Sequence, residues 1–375
     1  MTTTAAPGLE GVVVAETEIG DVRGAEGFFH YRQYSAVELA ERRTFEDVWY
    51  LMVHAGLPDA TEAAEFEAAV APLRAMPPAL EAALGDLAVG APLDVLRSAV
   101  SVLGAAAGWG PTLDISHDDL VAQSLQLGAV VPTIVAAAHR LRLGLDPVAP
   151  RGDLGHAANL LWMITGEEPA PAQVRALEQY LILTIDHGFN SSTFAARVIT
   201  STGADLASAI CGAVGALSGP LHGGAPSRAL DMLDRVSGPA DAEQWVRGTV
   251  AAGDRVMGFG HRVYSTDDPR SVLLRQVARQ LGGRRVDAAL EVEEAVVRTL
   301  AELKPGRSLF TNVEFYAGVV MEACGIPREM FTPTFAVSRT IGWCAHVVEQ
   351  AGANRLIRPS ARYVGPAAPQ PVPAA

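Results

Sequence analysis

Apolar residues return along this chain at three- and four-residue steps, and strict alternation is confined to its start. Val12 and Val14, then Thr17 and Ile19 ahead of Gly20-Asp21, predict short strands and turns from Val12 to Tyr34. Beyond that the period changes. Thr44-Phe45-Glu46-Asp47 has the form of a helix-opening cap, with Val48, Leu51 and Met52 on the buried face and Gly56-Leu57-Pro58 as the stop. Helices are predicted over Glu62 to Ala75, Leu93 to Ala107, Leu120 to Leu141 and Leu154 to Met163, each punctuated by Pro, Gly or Asp. Val174, Leu177, Leu181, Thr184 and Ile185 form a stripe at helical spacing behind Pro171, a residue suited to a helix start. That helix should deliver Asp186 and His187 into a glycine-containing turn. The expected fold class is all-α, mainly helical, with a few short N-terminal strands.

Two later stretches differ in texture. From Ser192 to Leu217 the residues are mostly small and apolar, which predicts a helical run apolar nearly all round and buried between other helices. After Gly224 the helices carry more charge. In Glu291 to Lys304, Val292, Ala295, Val296, Leu300 and Leu303 share one face, and Glu294 should meet Arg298 four residues on. The end, Pro366 to Ala375, holds four prolines in ten residues and is expected to be a disordered tail. No internal repeat is visible.

At 375 residues with 49% hydrophobic content, the chain has material for two or three domains and a large core. A net charge of −13 without any Lys/Arg-rich run argues against nucleic-acid binding, but leaves room for small anions held by a local arginine cluster. Cys211, Cys324 and Cys344 have no metal-ligand spacing and read as packing residues in a reducing compartment. The N-terminal residues lack the charged and apolar regions of a signal peptide, and Leu120 to Leu141 is interrupted by Gln123, Gln126, Pro132, His139 and Arg140. A cytoplasmic protein without a membrane role is expected.

Candidate chemistry centres on Ser218-Gly219-Pro220-Leu221-His222-Gly223-Gly224-Ala225, where glycines let the backbone around a histidine approach a ligand. A glycine-flanked histidine also occurs in ordinary turns, so its companions matter. They are Gly258-Phe259-Gly260-His261-Arg262-Val263-Tyr264, then Asp267-Asp268-Pro269-Arg270, and Thr311-Asn312-Val313-Glu314-Phe315. Together these resemble the P-L-H-G, G-x-G-H and N-V-[DE] segments of citrate synthases, in the same order. The resemblance runs from about Leu9 to about Pro366, through Asp186-His187-Gly188-Phe189-Asn190, Ser338-Arg339-Thr340-Ile341-Gly342-Trp343 and Arg358-Pro359-Ser360.

It implies a two-domain helical fold of the bacterial dimeric type. Residues 1–222 and 325–365 would form a large dimer-making domain, with the small-residue helix in its interface, and residues 223–324 a small one. It implies condensation of acetyl-CoA with oxaloacetate, CoA being a cosubstrate and no cofactor being bound permanently. Glu314 would be the base, His222 the donor to the thioester oxygen and His261 the donor to the ketone. Most members have aspartate in the base position; glutamate is longer by about 1.5 Å, which puts the geometry of the base in doubt but not its chemistry. The carboxylates of oxaloacetate would meet the forks of Arg270, Arg339 and Arg358, the last from the other subunit, with His187 and Asn190 on the same substrate. Asp268 is expected either to orient a neighbouring His or Arg or to cap a helix before Pro269. CoA is expected along Gly258 and Gly260, with Asn312 near its pantetheine arm. Arg262 would stand in for an arginine that other branches carry where this chain has Ser265.

Residue types alone leave alternatives open. A 2-methylcitrate synthase would use the same groups on propionyl-CoA. His187, His222, His261 and Glu314 could instead ligate a metal in a hydrolase, although none has the spacing of a preformed helical site. A non-catalytic relative is a third reading. Glu314 itself could be a solvated helix-start carboxylate behind the caps Thr311 and Asn312. His30, His54, His117, His139, His156 and His346, in helical or turn contexts, are read as packed or surface residues, and Trp49 and Trp343 as core. Oxaloacetate binding should precede closure of the small domain over the site. The segment before Gly11 is too short for the nucleotide-sensing domain of some larger members, so a dimer without that control is expected.

Overall fold

The computed structural model describes residues 6–222, 225–261, 263–307 and 309–373. Three antiparallel strands come first: β1 (Gly20–Arg23), β2 (Phe28–Tyr31) and β3 (Tyr34–Ser35), with Gly20 opposite Tyr31 and His30 opposite Ser35. The strand expected from Val12 does not form. Val12, Val13 and Val14 are exposed, and alternation without a partner strand leaves backbone groups to water.

Helices follow: α1 (Ala36–Arg42), α2 (Phe45–His54), α3 (Ala60–Val70), α4 (Pro78–Leu87), α5 (Pro92–Ala107), α6 (His117–Arg142), α7 (His156–Thr165) and α8 (Pro171–Thr184). After them come α9 (Ser191–Ser201), α10 (Leu206–Leu217), α11 (Ala225–Arg235), α12 (Pro239–Ala251), α13 (Pro269–Leu281), α14 (Arg284–Leu303), α15 (Val313–Ala323) and α16 (Phe331–Gly352). The mainly helical class is as expected. Thr44 and Asp47 form the reciprocal cap of α2, and Asp59 and Glu62 that of α3. The run from Ser192 to Leu217 is two helices, not one. Gly203 (φ +83°) breaks it and the Asp205 carboxylate caps the second by accepting from the Ser208 N–H at 2.9 Å.

The core lies around α16, which is buried from Phe331 to Val347 on most faces and packs on α6, α8 and α9. Gly342 permits its crossing with the end of α8, because a Cβ there would lie 2.0 Å from the Ile185 carbonyl oxygen. α6 is long and apolar enough to cross a membrane by length and composition, but most of its apolar residues are buried against other helices here. Trp49 and Trp343 are core residues, as expected. Between α10 and α16, α12 lies on α14, and α11 and α13 lie on α15; α13 and α15 also reach α8. Arg298 pairs not with Glu294 but with Glu243 of α12, 3.9 Å away, since packing of α12 on α14 brings that carboxylate within reach. After α16, residues 353–373 form no helix or strand, and 366–373 are exposed.

Candidate active site

The segments carrying His261 and Glu314 are held side by side by their backbones. Phe259 and Thr311 form a bridge, Gly260 N–H donates to the Phe310 carbonyl at 2.7 Å, and Asn312 N–H donates to the Gly258 carbonyl at 2.9 Å. Gly258 and Gly260 have φ of +86° and +84°, so this turn needs glycine at both. The Asn312 side chain completes the joint, donating to the Gly260 carbonyl at 2.9 Å and accepting from the Glu314 N–H at 3.0 Å. Glu314 therefore starts α15 in a fixed orientation relative to the histidine turn.

Asp268 ties the same region to an arginine. Its carboxylate caps α13 through the Arg270 N–H (3.0 Å), receives the Arg270 guanidinium at 3.0 and 2.8 Å, and accepts from the Val313 N–H at 3.1 Å. Both roles expected for it are filled at once. In His261, Nδ1 accepts the N–H groups of Val263 (2.9 Å) and Tyr264 (3.1 Å), so the ring proton sits on Nε2. Nε2 lies 3.3 Å from Arg270 Nη2. Two donors there cannot bond one another, and an oxygen seated between them would accept from both.

His187 lies beside this pair. Its Nε2 meets the Tyr264 hydroxyl at 2.9 Å, and its ring stands edge-on to His261 with centroids 5.7 Å apart. Arg339 is buried, donates Nε to the Thr184 carbonyl at 2.9 Å and stacks on Phe335. Asp186 accepts the Gly188 N–H at 3.1 Å and faces His346 Nε2 at 3.2 Å. Arg197 donates to the other nitrogen of His346 at 3.0 Å, so the His346 proton points at Asp186. Burial opposes charge on Asp186, but His346, Arg339 and the Gly188 N–H outweigh it and hold the carboxyl below its usual range.

His222 is reached from a different side. Its Nε2 is 2.8 Å from Ser192 Oγ, which also accepts from Trp343 Nε1 (3.2 Å) and lies 2.8 Å from Asn190 Oδ1. Asn190 is occupied as the cap of α9, accepting the Thr193 N–H at 3.1 Å.

Charge is arranged to keep the imidazoles neutral. Burial pushes His222 and His261 down to about 4, reinforced by Arg339 for the first and Arg270 for the second. Burial, then Arg270, Arg339 and His261, takes His187 well below its ordinary value. For Glu314 the direction reverses. Burial lifts its carboxyl to about 7, with Asp268 adding to the rise and Arg270 opposing it. A solvated helix-start carboxylate does not behave so. The site is a half-buried carboxyl able to exchange a proton near neutral pH, neutral histidines able to donate, and guanidinium groups for an anion.

The family described as "Citrate synthase, C-terminal domain" matches residues 8–360. The chain belongs to the citrate synthase family. It is 40% identical over 367 residues to the citrate synthase of Deinococcus radiodurans, with 96% of each chain covered. It is likewise 40% identical over 363 residues to the 2-methylcitrate synthase of Mycobacterium tuberculosis, covering 96% of this chain and 90% of that one. Among solved structures, the ternary complex of citrate synthase from Thermoplasma acidophilum with carboxymethyl coenzyme A and oxaloacetate superposes with a TM-score of 0.90. That protein is 28% identical, with 99% of both chains covered. Membership in this family makes the chain an enzyme of the acyltransferase type.

Against that background the expected residues divide. His187, His261, Arg270 and Glu314 share one neighbourhood; Arg339 and His222 join it through their mutual field. Arg358 is exposed, six residues beyond the end of α16. Arg262 lies outside the described residues. Among the described residues no three His, Cys, Asp or Glu side chains are placed to hold a metal ion, so the donor set of a metal hydrolase is not assembled. His30 lies on β2, not in a helix or turn. The cysteines are unpaired, Cys324 and Cys344 in the core and Cys211 half-buried. The sequence reading missed Tyr264, Ser192 and the Asp186–His346 pair. Tyr264 could have been found, since it closes the G-x-G-H segment. Asp186 and His346 are 160 positions apart, and nothing local links them.

Proposed function

We propose that the protein condenses acetyl-CoA with oxaloacetate and water to give citrate and CoA. The observation carrying this is the pairing of Glu314, poised to hold or release a proton at about pH 7, with a neutral His261 whose Nε2 proton faces Arg270. Glu314 takes a proton from the acyl methyl group. His222 donates to the thioester oxygen as it becomes an enolate. The enolate carbon forms a bond to the ketone carbon of oxaloacetate while His261 Nε2–H stabilises the oxygen that becomes the alkoxide. Water then cleaves the thioester, releasing CoA.

Arg270 and Arg339 hold the carboxylates of oxaloacetate, His187 and Asn190 contact the same molecule, and Arg358 comes from a second subunit. CoA runs along Gly258, Gly260 and Arg262. Asn312 acts there by fixing the turn, since its amide is committed to Gly260 and Glu314. Residues 223–324 act as a small domain closing on residues 1–222 and 325–365, and the enzyme works as a cytoplasmic homodimer without a permanently bound cofactor. The 40% identity to a 2-methylcitrate synthase favours propionyl-CoA as a second acyl donor. One extra methyl in an apolar pocket changes discrimination by only ~1–3 kcal/mol. Thiol release measured with acetyl-, propionyl- and butyryl-CoA, with and without oxaloacetate, tests both readings. Oxaloacetate-dependent release, fastest with acetyl-CoA, is expected. Equal or better efficiency with propionyl-CoA gives the second reading, and no dependence on oxaloacetate removes both.

A further inference from the structure

The hairpin of β1 and β2 lies outside every segment that contributes a reacting side chain, yet it touches both halves of the keto-acid pocket. At its tip, the Gly24 carbonyl accepts the Ser265 N–H at 3.3 Å. A Cβ on Gly24 would fall 2.0 Å from the Val263 carbonyl oxygen and 2.7 Å from its carbon. Gly24 is not among the residues with positive φ, so its conformation does not demand glycine; the approach of the 263–265 backbone does. That same stretch supplies the two N–H groups that set the proton of His261.

The inner face of the hairpin meets the other half. Phe29 is edge-on to the His187 ring at 5.5 Å, and the Arg270 guanidinium lies 6.0 Å from its centroid. The Tyr31 hydroxyl donates to the Ile182 carbonyl at 2.8 Å and faces the Asp186 N–H at 3.4 Å, pinning the turn that holds His187. His187 and His261 are 74 positions apart in the chain, and their rings are 5.7 Å apart here. One small rigid element contacts the backbone next to each of them.

We infer that the β1–β2 hairpin is a positioning element that sets the distance between the His187 and His261 halves of the pocket, with Gly24 and Phe29 as its positioning residues. This rests on the reading of that pocket as the oxaloacetate site. The hairpin does not touch the substrate. It acts through the Val263–Ser265 backbone and the His187 ring, so it should govern keto-acid affinity and leave acyl-CoA recognition at Gly258 and Gly260 alone.

The test is Gly24→Ala in the full chain, with oxaloacetate affinity measured by calorimetry and KM measured for each substrate. Oxaloacetate binding is expected to weaken by about tenfold or more, because displacing a reacting group by about 1 Å has effects of this order, with the acyl-CoA KM within about twofold. Gly248→Ala, on an exposed face of α12 where a Cβ meets nothing within 4 Å, should leave both unchanged. A folded Gly24→Ala protein with the parent's oxaloacetate affinity overturns the proposal. Should that variant not fold, Phe29→Leu, which keeps an apolar side chain, decides instead. Several-fold weaker oxaloacetate binding with an unchanged acyl-CoA KM supports the proposal, and unchanged affinity ends it. An unmodified protein that does not bind oxaloacetate would remove the functional reading, an outcome distinct from variants that bind it as the parent does.

Discussion

Glu314 is the base in the proposed reaction, and its environment yields two measurable consequences. Removing the carboxylate in Glu314→Ala should lower kcat by about 10²–10⁴, the usual contribution of a positioned base, while oxaloacetate binding persists. Because burial raises the carboxyl to about 7, kcat/KM should fall as pH drops through neutrality, as the base takes up its proton. The sign for stability is the opposite of a salt-bridged acid. A group that holds its proton more tightly when folded costs the fold nothing below its unfolded value of 4.5, and increasingly more up to about 7. Glu314→Gln, which never ionises, should therefore unfold at the same temperature as the parent at pH 4 and at a higher one at pH 8. The gap approaches about 3 kcal/mol at most. Thermal melts of both proteins across that range check it; a gap that shrinks with rising pH would contradict the assignment of burial as the cause. The sequence made Glu314 legible by its place after Asn312-Val313. Its raised proton affinity was not legible, because that comes from burial in the folded chain.

Among the elements, α13, α14 and α15 share one buried carboxylate that keeps the Glu314 segment in register. Glu293 on α14 accepts from Arg275 Nη2 (2.7 Å), Thr311 Oγ1 (2.6 Å) and the Tyr316 hydroxyl (2.5 Å). Thr311 immediately precedes the cap of α15, so this hub fixes where the base begins. Glu293→Gln leaves Arg275 facing a neutral group and is expected to cost about 1–3 kcal/mol of stability. It should also lower kcat more than it raises either KM, because the base shifts while the arginines stay. Kinetics and melting of this variant test the link; lost stability with full kcat would make the hub purely structural. Local signals predicted the elements well where they were complete, as with Thr44 and Asp47 at α2 or Pro171 at α8. Pro78 and Gly203 carried equally plain signals, for the start of α4 and the break before α10. A uniform apolar composition concealed the second of these. The missing Val12 strand is different in kind: alternation gives a capacity to pair, and only the rest of the fold decides whether a partner is present.

For the whole molecule, the role proposed for Arg358 requires a second subunit. Its side chain is exposed in a single chain, in the irregular segment following α16, whereas Arg270 and Arg339 are buried. A planar fork contributes to binding two carboxylates only when it is brought to them, and in a twofold dimer each subunit can supply the other. Closure of residues 223–324 over bound oxaloacetate should then compact the dimer, which small-angle scattering would register. Mixing chains gives a sharper test. Arg358→Ala and Glu314→Ala proteins should each be nearly inactive alone. Unfolded together and refolded, half of the dimers would be mixed, and in each of these one site would hold an intact Glu314 beside an intact partner arginine. Activity should return to about a quarter of the parent's, as the statistics of a twofold pair require. Were Arg358 to serve its own chain, every intact Glu314 would still face a missing arginine, and mixing would restore nothing.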